Sequence, residues 1–398
     1  MEEWKEYKLG DLIKLSSGGT PDKNNDSYWG GAIPWISAKS MYDDYLYSSD
    51  LTITNEGLVN GSRIAPVNSI LLLTRGSGLF NRIPVCLVKK EMAFNQDVKC
   101  LESKDQDVVS NLFLYYWLMG NKHEISAIIE TTGIGAGKID TERLKNIKVK
   151  LPPVRTQKAL VQFAESIMLK IEVNRRINDN LEQQAQALFK SWFVDFEPFK
   201  DGEFVESEMG MIPKGWKVGN LFDVAEVLDK YRKPLSGQER DLMDKIYPYY
   251  GATSCMDYVD DYLFDGIYTL IGEDGSVVKE DGFPYMQYVW GKLWVNNHAH
   301  ILQGKNGFST EMLHVMLSTT NIRHLVTGAV QAKLSQANMR KIFVAIPSTN
   351  VLDEIKPTFD KLYQLIRKNE DESRRLAQLR DTLLPRLMSG ELKVEAGF

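Results

Sequence analysis

The stretch Thr156–Phe193, TQKALVQFAESIMLKIEVNRRINDNLEQQAQALFKSWF, contains no Pro and no Gly. Ala164, Ile167, Ile171, Asn174, Asn178, Leu181, Ala185, Leu188 and Trp192 recur alternately three and four positions apart. That spacing is a heptad seam along one helix, with Glu, Arg, Asp and Gln on the opposite face. A helix over 156–193 would extend ~57 Å at 1.5 Å rise per residue, far beyond the usual three or four turns. Such a helix cannot bury its stripe alone, so it needs a partner of similar length. The same chain offers one. Over 351–388 the seam recurs 195 positions later at Phe359, Leu362, Ile366, Asn369, Ser373, Leu376, Arg380, Leu383 and Leu387. The polar position recurs too, Asn369 against Asn174.

At 398 residues the chain has room for two or three domains with ample core. It shows no N-terminal apolar signal, and apolar runs such as Ile70–Leu73 are strand-sized, which points away from a membrane and toward the cytoplasm. Cys86, Cys100 and Cys255 form no metal spacing and are odd in number, as suits a reducing compartment. The formal net charge of −5 weighs mildly against a nucleic-acid partner, but a basic footprint can be local.

Residues 1–150 read as one mixed domain. An opening strand or helical turn near Trp4–Leu15 breaks at Ser16-Ser-Gly-Gly-Thr-Pro. Strands are expected at 33–37, 69–74, 84–88 and 97–101, a helical pattern over 108–129, a loop over 131–138 and a strand at 147–151. Residues 151–200 hold the first long helix and an aromatic exit. Glu203–Lys214 reads as an acidic linker within 201–346, and 347–398 is the second long helix. At Trp216 the programme restarts. Trp4-Lys matches Trp216-Lys, and Leu9 and Asp11 match Leu221 and Asp223. Phe94-Asn-Gln-Asp97 matches Val295-Asn-Asn-His298, and Thr132-Gly133 with Lys138 matches Thr327-Gly328 with Lys333. The order is domain, long helix, domain, long helix, as an old duplication would leave it. Antiparallel pairing of the helices would place the domains at opposite ends of a rod, related by a pseudo-two-fold axis. That geometry suits double-helical DNA with two half-sites.

Gly133-Ile-Gly-Ala-Gly-Lys138 imitates a phosphate-binding loop but lacks the first Gly and the final Ser/Thr. His298-Ala-His300 puts two imidazoles on one strand face without a visible third ligand, which favours ordinary strand histidines. No nucleophile elbow, paired-carboxylate nuclease signature or amino-methyltransferase motif is visible. The loop Thr74–Arg82 offers Arg75, Ser77, Asn81 and Arg82, able to approach a groove and pair with guanine or phosphate, or to form a solvated hairpin. Its counterpart, Ile271–Val277, is acidic, and Glu273 could accept from cytosine N4 or belong to a plain turn. Asn95-Gln96 and Asn296-Asn297 could read adenine edges or cap strand ends.

The duplicated plan, together with AFNQDVK, LKNIKVKLPPVRTQ, RRINDNLEQQAQALFKSWFVDFEPF, GMIPKGWK and VNNHAHIL, resembles the DNA-specificity subunits of type I restriction–modification systems over essentially the whole chain. The resemblance implies an α+β fold: two similar mixed α/β target-recognition domains separated by a long intramolecular antiparallel coiled coil, a pseudo-two-fold internal repeat. It implies a non-catalytic chain that reads a bipartite asymmetric site in double-stranded DNA. Its implied partners are two adenine-N6 methyltransferase subunits and two motor–nuclease (restriction/translocase) subunits. S-adenosylmethionine, ATP and Mg would belong to those partners, and this chain would bind no cofactor and no metal. The candidate DNA contacts are Lys39, Arg75, Ser77, Asn81, Arg82, Asn95, Gln96 and Lys138 in the first half. In the second they are Thr253, Ser254, Glu273, Asn296, Asn297 and Lys333. Trp192, Phe193, Phe196 and Phe199 are candidates for partner docking or for packing the helix end. A stand-alone restriction or methylation enzyme, and a scaffold for a non-DNA ligand, remain open alternatives.

Overall fold

The computed structural model describes residues 4–133, 135–328 and 331–392. The chain separates into two compact units: residues 1–172 with 373–398, and residues 173–372. The division therefore falls inside both long helices, Val154–Phe189 and Thr349–Met388. Each starts two residues before its sequence-read start. The first begins at the stop imposed by Pro152-Pro153, where the Gln157 amide donates to the carbonyls of Val108 and Pro152.

In the second unit the seam pairs antiparallel. Asn174 Nδ2 donates to the Asn369 carbonyl and, at 2.8 Å, to Glu372. Asn178 Nδ2 reaches the Ile366 carbonyl at 3.2 Å, and Asn369 Nδ2 donates to Asn178 Oδ1 at 2.8 Å. The polar seam positions thus bond across the helix pair inside an apolar stripe that includes Leu181, Ala185, Phe359 and Ile366, all buried. In the first unit Leu160, Ala164 and Met168 share a core with Leu384, Leu387 and Met388. Leu384, rather than the seam residue Leu383, is the buried leucine at that level.

The first unit holds a five-stranded sheet ordered Ile13–Ser17, Val98–Ser103, Ile70–Leu73, Val85–Val88, Tyr45–Leu46, and a four-stranded sheet around Trp29–Ile36. The helical stretch expected over 108–129 divides into Asn111–Gly120 and Lys122–Ser126. A β-carbon at Gly120 would lie 3.1 Å from the Leu384 backbone, so glycine permits this approach to the second long helix. The second unit holds a six-stranded sheet ordered Ala225–Val227, Ala299–Gly304, Phe264–Gly272, Met286–Val295, Tyr247–Tyr250, Cys255–Val259.

Two expectations are corrected. The loop over 131–138 is a hairpin, Ile129–Thr131 against Gly137–Ile139, whose second strand also pairs with Arg75–Gly76. The stretch read as an acidic linker is a hairpin as well, Phe204–Ser207 against Gly210–Pro213. Each strand is only three or four residues long and exists because a ladder partner is available, the usual dominance of tertiary context over β-propensity. Among the described residues no helix is long and apolar enough to cross a membrane.

Candidate nucleic-acid interface

The two units build one sheet end from the same backbone hydrogen bonds. In the first, Thr74 N–H donates to the Asp97 carbonyl at 2.8 Å, and Ile139 N–H to the Thr74 carbonyl at 2.9 Å. In the second, Glu273 N–H donates to the His298 carbonyl at 2.8 Å, and Leu334 N–H to the Glu273 carbonyl at 2.8 Å. Asn95 N–H reaches the Ile36 carbonyl, and Asn296 N–H that of Tyr250. Arg75 therefore occupies the place of Asp274, Asp97 that of His298, Lys99 that of His300 and Lys138 that of Lys333. The loop after the central strand, the strand-end turn and the hairpin converge at this edge in each unit.

In the first unit Arg75 lies directly across the ladder from Lys138, and Lys138 from Glu130. Opposite residues of an antiparallel pair share a face, so these side chains form one row. Arg75 and Lys138 are exposed and form no ion pair among the described residues, while Glu130 pairs with Arg143 at 3.2 Å. Ser77 and Asn81 are exposed beside them. Arg82 donates to the Tyr42 carbonyl at 2.6 Å, and Lys39 is exposed in the turn Ala38–Ser40. Gln96 is exposed and accepts from Thr20. Asn95 is buried, its oxygen accepting from the N–H groups of Asp97 and Val98. Of the two roles the sequence left open for Asn95, the geometry supports capping. Lys99, which the sequence did not single out, donates to Ser17 Oγ at 2.6 Å, and burial lowers its pKa.

In the second unit the same edge is neutralised internally. Arg232 donates to Glu273 at 2.8 Å and lies 3.4 Å from Asp229. Lys333 pairs with Glu273 at 3.5 Å, and His298 Nδ1 lies 2.5 Å from Asp274. The expected histidine pair separates. His298 is exposed before the strand, whereas His300 is buried with Nδ1 on Asp229 at 2.6 Å and Nε2 on the Leu334 carbonyl at 2.7 Å. Asp229, Glu273 and His300 are close enough to share a metal ion. However, Arg232 already stands between the carboxylates as their cation, and both His300 nitrogens are engaged, so this donor set fits a closed salt network. Asn296 is buried and caps the turn by accepting from His298 N–H, whereas Asn297 is exposed. Thr253 and Ser254 are exposed in the turn closed by Gly251 N–H on the Ser254 carbonyl.

The phosphate-loop look-alike is part of the first unit's hairpin. Thr132 N–H donates to the Ala136 carbonyl, and Lys138 lies on a strand where a P-loop would open a helix. Its Ile134, and Ala329-Val330 of the counterpart, lie outside the described residues.

At the end of the first long helix Phe193 is buried, while Trp192, Phe196 and Phe199 are half-buried. Phe193, Phe196 and Phe199 all pack on Trp216, with ring centroids 5.7, 5.4 and 5.2 Å away. Trp192 packs edge-on against Phe199. Each candidate docking aromatic therefore has a packing partner within its own unit.

Twin sheet ends carrying divergent polar side chains, each supported by long seam-bearing helices, define a duplicated recognition protein. The family model described as "Type I restriction modification DNA specificity domain" matches residues 1–183 and 213–380. The chain belongs to that family, the specificity subunits of type I restriction–modification systems. The type I restriction enzyme MjaIX specificity subunit of Methanocaldococcus jannaschii is 28% identical, with 99% of this chain and 94% of that one aligned. The EcoR124I/EcoR124II specificity subunit of Escherichia coli is 32% identical over 41% of this chain and 40% of its own. In fold the chain is similar to the S subunit of a type I system from M. genitalium, with a TM-score of 0.52 at 18% identity, covering 97% of this chain and 96% of that one.

Proposed function

We propose that this chain is the non-catalytic reader of a bipartite, asymmetric DNA site. In this reading each unit's sheet end contacts one half-site. The long helices present the bound DNA to two adenine-N6 methyltransferase subunits and two motor–nuclease subunits. S-adenosylmethionine, ATP and Mg then act within those partners. The observation that carries the reading is one hydrogen-bond skeleton built twice, with different side chains at matching points. Thr74, Arg75, Asp97 and Lys99 stand where Glu273, Asp274, His298 and His300 stand. A duplicated scaffold that served stability alone would have no need to diverge at this edge.

The family membership and the relatives' names support a specificity role. The separability of the two readers is tested by exchanging residues 1–150 for the equivalent part of a relative. Adenine methylation is then mapped in DNA exposed to the chimaera and its co-encoded methyltransferase. One half-site should change and the other remain. Change in both, or in neither, would sink the independent-reader reading.

A further inference from the structure

The matching edges differ most in how their charges are satisfied. Arg75 and Lys138 are like charges directly opposed across an antiparallel ladder, an arrangement that costs stability. Among the described residues no carboxylate pairs with either, and the nearest in the row, Glu130, is held by Arg143. Lys99 forms no ion pair among the described residues: its ammonium rests on a hydroxyl, Ser17 Oγ, and on the Gln96 carbonyl, and the Asp97 carboxylate acts on it only from beyond ion-pair distance. At the matching points of the second unit the lysine and arginine each meet a carboxylate, and so does the imidazole of His300. Asp274 stands across from Lys333, Glu273 binds both Lys333 and Arg232, and Asp229 binds His300.

A cation without an internal partner holds counterions that a DNA phosphate displaces, and each such contact makes affinity fall more steeply with salt. A cation already paired inside the protein gains little from a phosphate, and adjacent carboxylates repel it. We propose that the salt-dependent, phosphate-directed share of DNA binding is concentrated on the first unit, through Arg75, Lys138 and Lys99. The matching edge of the second unit, neutralised by Glu273, Asp274 and Asp229, engages its half-site without that contribution. This rests on the DNA-reading function above. It makes Lys99 a phosphate contact, and it removes Lys333 from that role.

The test uses the full chain assembled with its methyltransferase subunits, binding a duplex that carries the mapped site, between about 50 and 200 mM salt. Arg75→Ala with Lys138→Ala should lower the slope of log K against log salt by about two, and Lys99→Ala by about one. Lys333→Ala should leave it unchanged to within a few tenths, on the order of its error. Arg75→Lys, Lys138→Arg and Lys99→Arg should keep the parental slope, which separates lost charge from lost fold. A Lys333→Ala slope reduced as far as that of Lys99→Ala would overturn the asymmetry, as would an unchanged slope in the double variant. A parental complex with no preference for the mapped site would instead overturn the DNA-reading function itself.

Discussion

The two units secure the second long helix with the same chemistry placed in different surroundings. In the first, Arg380 reaches Asp44 at 2.8 Å, and the Asp44 side chain is 30% exposed. In the second, Arg367 reaches Glu311 at 2.8 Å, and the Glu311 side chain is only 7% exposed. The hydroxyl of Tyr288 bonds to both members of that second pair. An ion pair's cost when broken depends on what remains. A carboxylate near water rehydrates, whereas a buried one is stranded. The same kind of contact should therefore matter more in the second unit than in the first.

The largest expected effect follows from that difference. Arg367→Ala leaves Glu311 buried with only the Tyr288 hydroxyl and should cost about 3–5 kcal/mol. Arg380→Ala should cost about 1–3 kcal/mol, since water can reach Asp44. Hydrogen exchange followed separately over residues 1–172 and 173–372 measures each loss in its own unit. An Arg380→Ala penalty equal to or larger than that of Arg367→Ala would reverse the comparison.

Acid should sharpen it further. Ser110 and Ser309 cap equivalent helices by accepting from Phe113 and Met312 N–H, which makes Tyr115 and His314 positional equivalents. Both are buried. Tyr115 donates to the Asp44 carbonyl, and burial raises its pKa, so it carries no charge change on the acid side. His314 bonds to Thr269 Oγ1, and burial pushes its pKa down to about 4. The folded state refuses a proton that the unfolded chain accepts at about 6.5. Stability from neutral His314 is thus fully present above pH 6.5 and is lost as the pH falls toward 4, by about 3 kcal/mol in all. The opening free energy over the second unit, from exchange corrected for its intrinsic pH dependence, should fall across that window while that of the first changes less, and His314→Gln should flatten the response. Equal acid sensitivity in both units, unaltered by His314→Gln, would show that this histidine does not set the difference.

Much of this architecture was legible because a heptad stripe is a long, redundant signal. Positions Ala164 to Trp192 each vote for the same helix, and the polar residues Asn174 and Asn369 mark where two stripes must meet. The recurrence of Phe94-Asn-Gln-Asp97 as Val295-Asn-Asn-His298 likewise located equivalent strand ends. The hairpins at 129–139 and 204–213 were not legible. Gly-Ala-Gly and Glu-Ser-Glu carry no period-two pattern, and their pairing depends on ladder partners rather than local preference. Lys99 was missed because one lysine on a strand is unremarkable. Only the absence of an ion pair at its ammonium, against Asp229 bonded to His300, separates it from its neighbours. Asn95 and Asn296 sat correctly at strand ends, but burial, which decides between capping and base contact, is a tertiary property.

The smallest expected effect concerns the helical seam of the second unit, where stability and specification of register part company. Asn178 Oδ1 accepts from Asn369 Nδ2 at 2.8 Å, while its own amide donates to the Ile366 carbonyl at 3.2 Å. Asn178→Leu alone strands the Asn369 amide in an apolar stripe and should cost about 1 kcal/mol. Asn178→Leu with Asn369→Leu removes both side-chain amides and extends the apolar packing as far as Asn174. Its stability should return to within about 1 kcal/mol of the parent, or exceed it, so the double-mutant cycle should show favourable coupling. What the pair would lose is its penalty for sliding, because two leucines pack acceptably at neighbouring heptad levels whereas two asparagines bond at only one. Cysteines placed along the two helices should then crosslink as one product in the parent and as several in the double variant. A double variant less stable than either single change would mean that the asparagines support the seam itself, and that its register is set by the domains on either side.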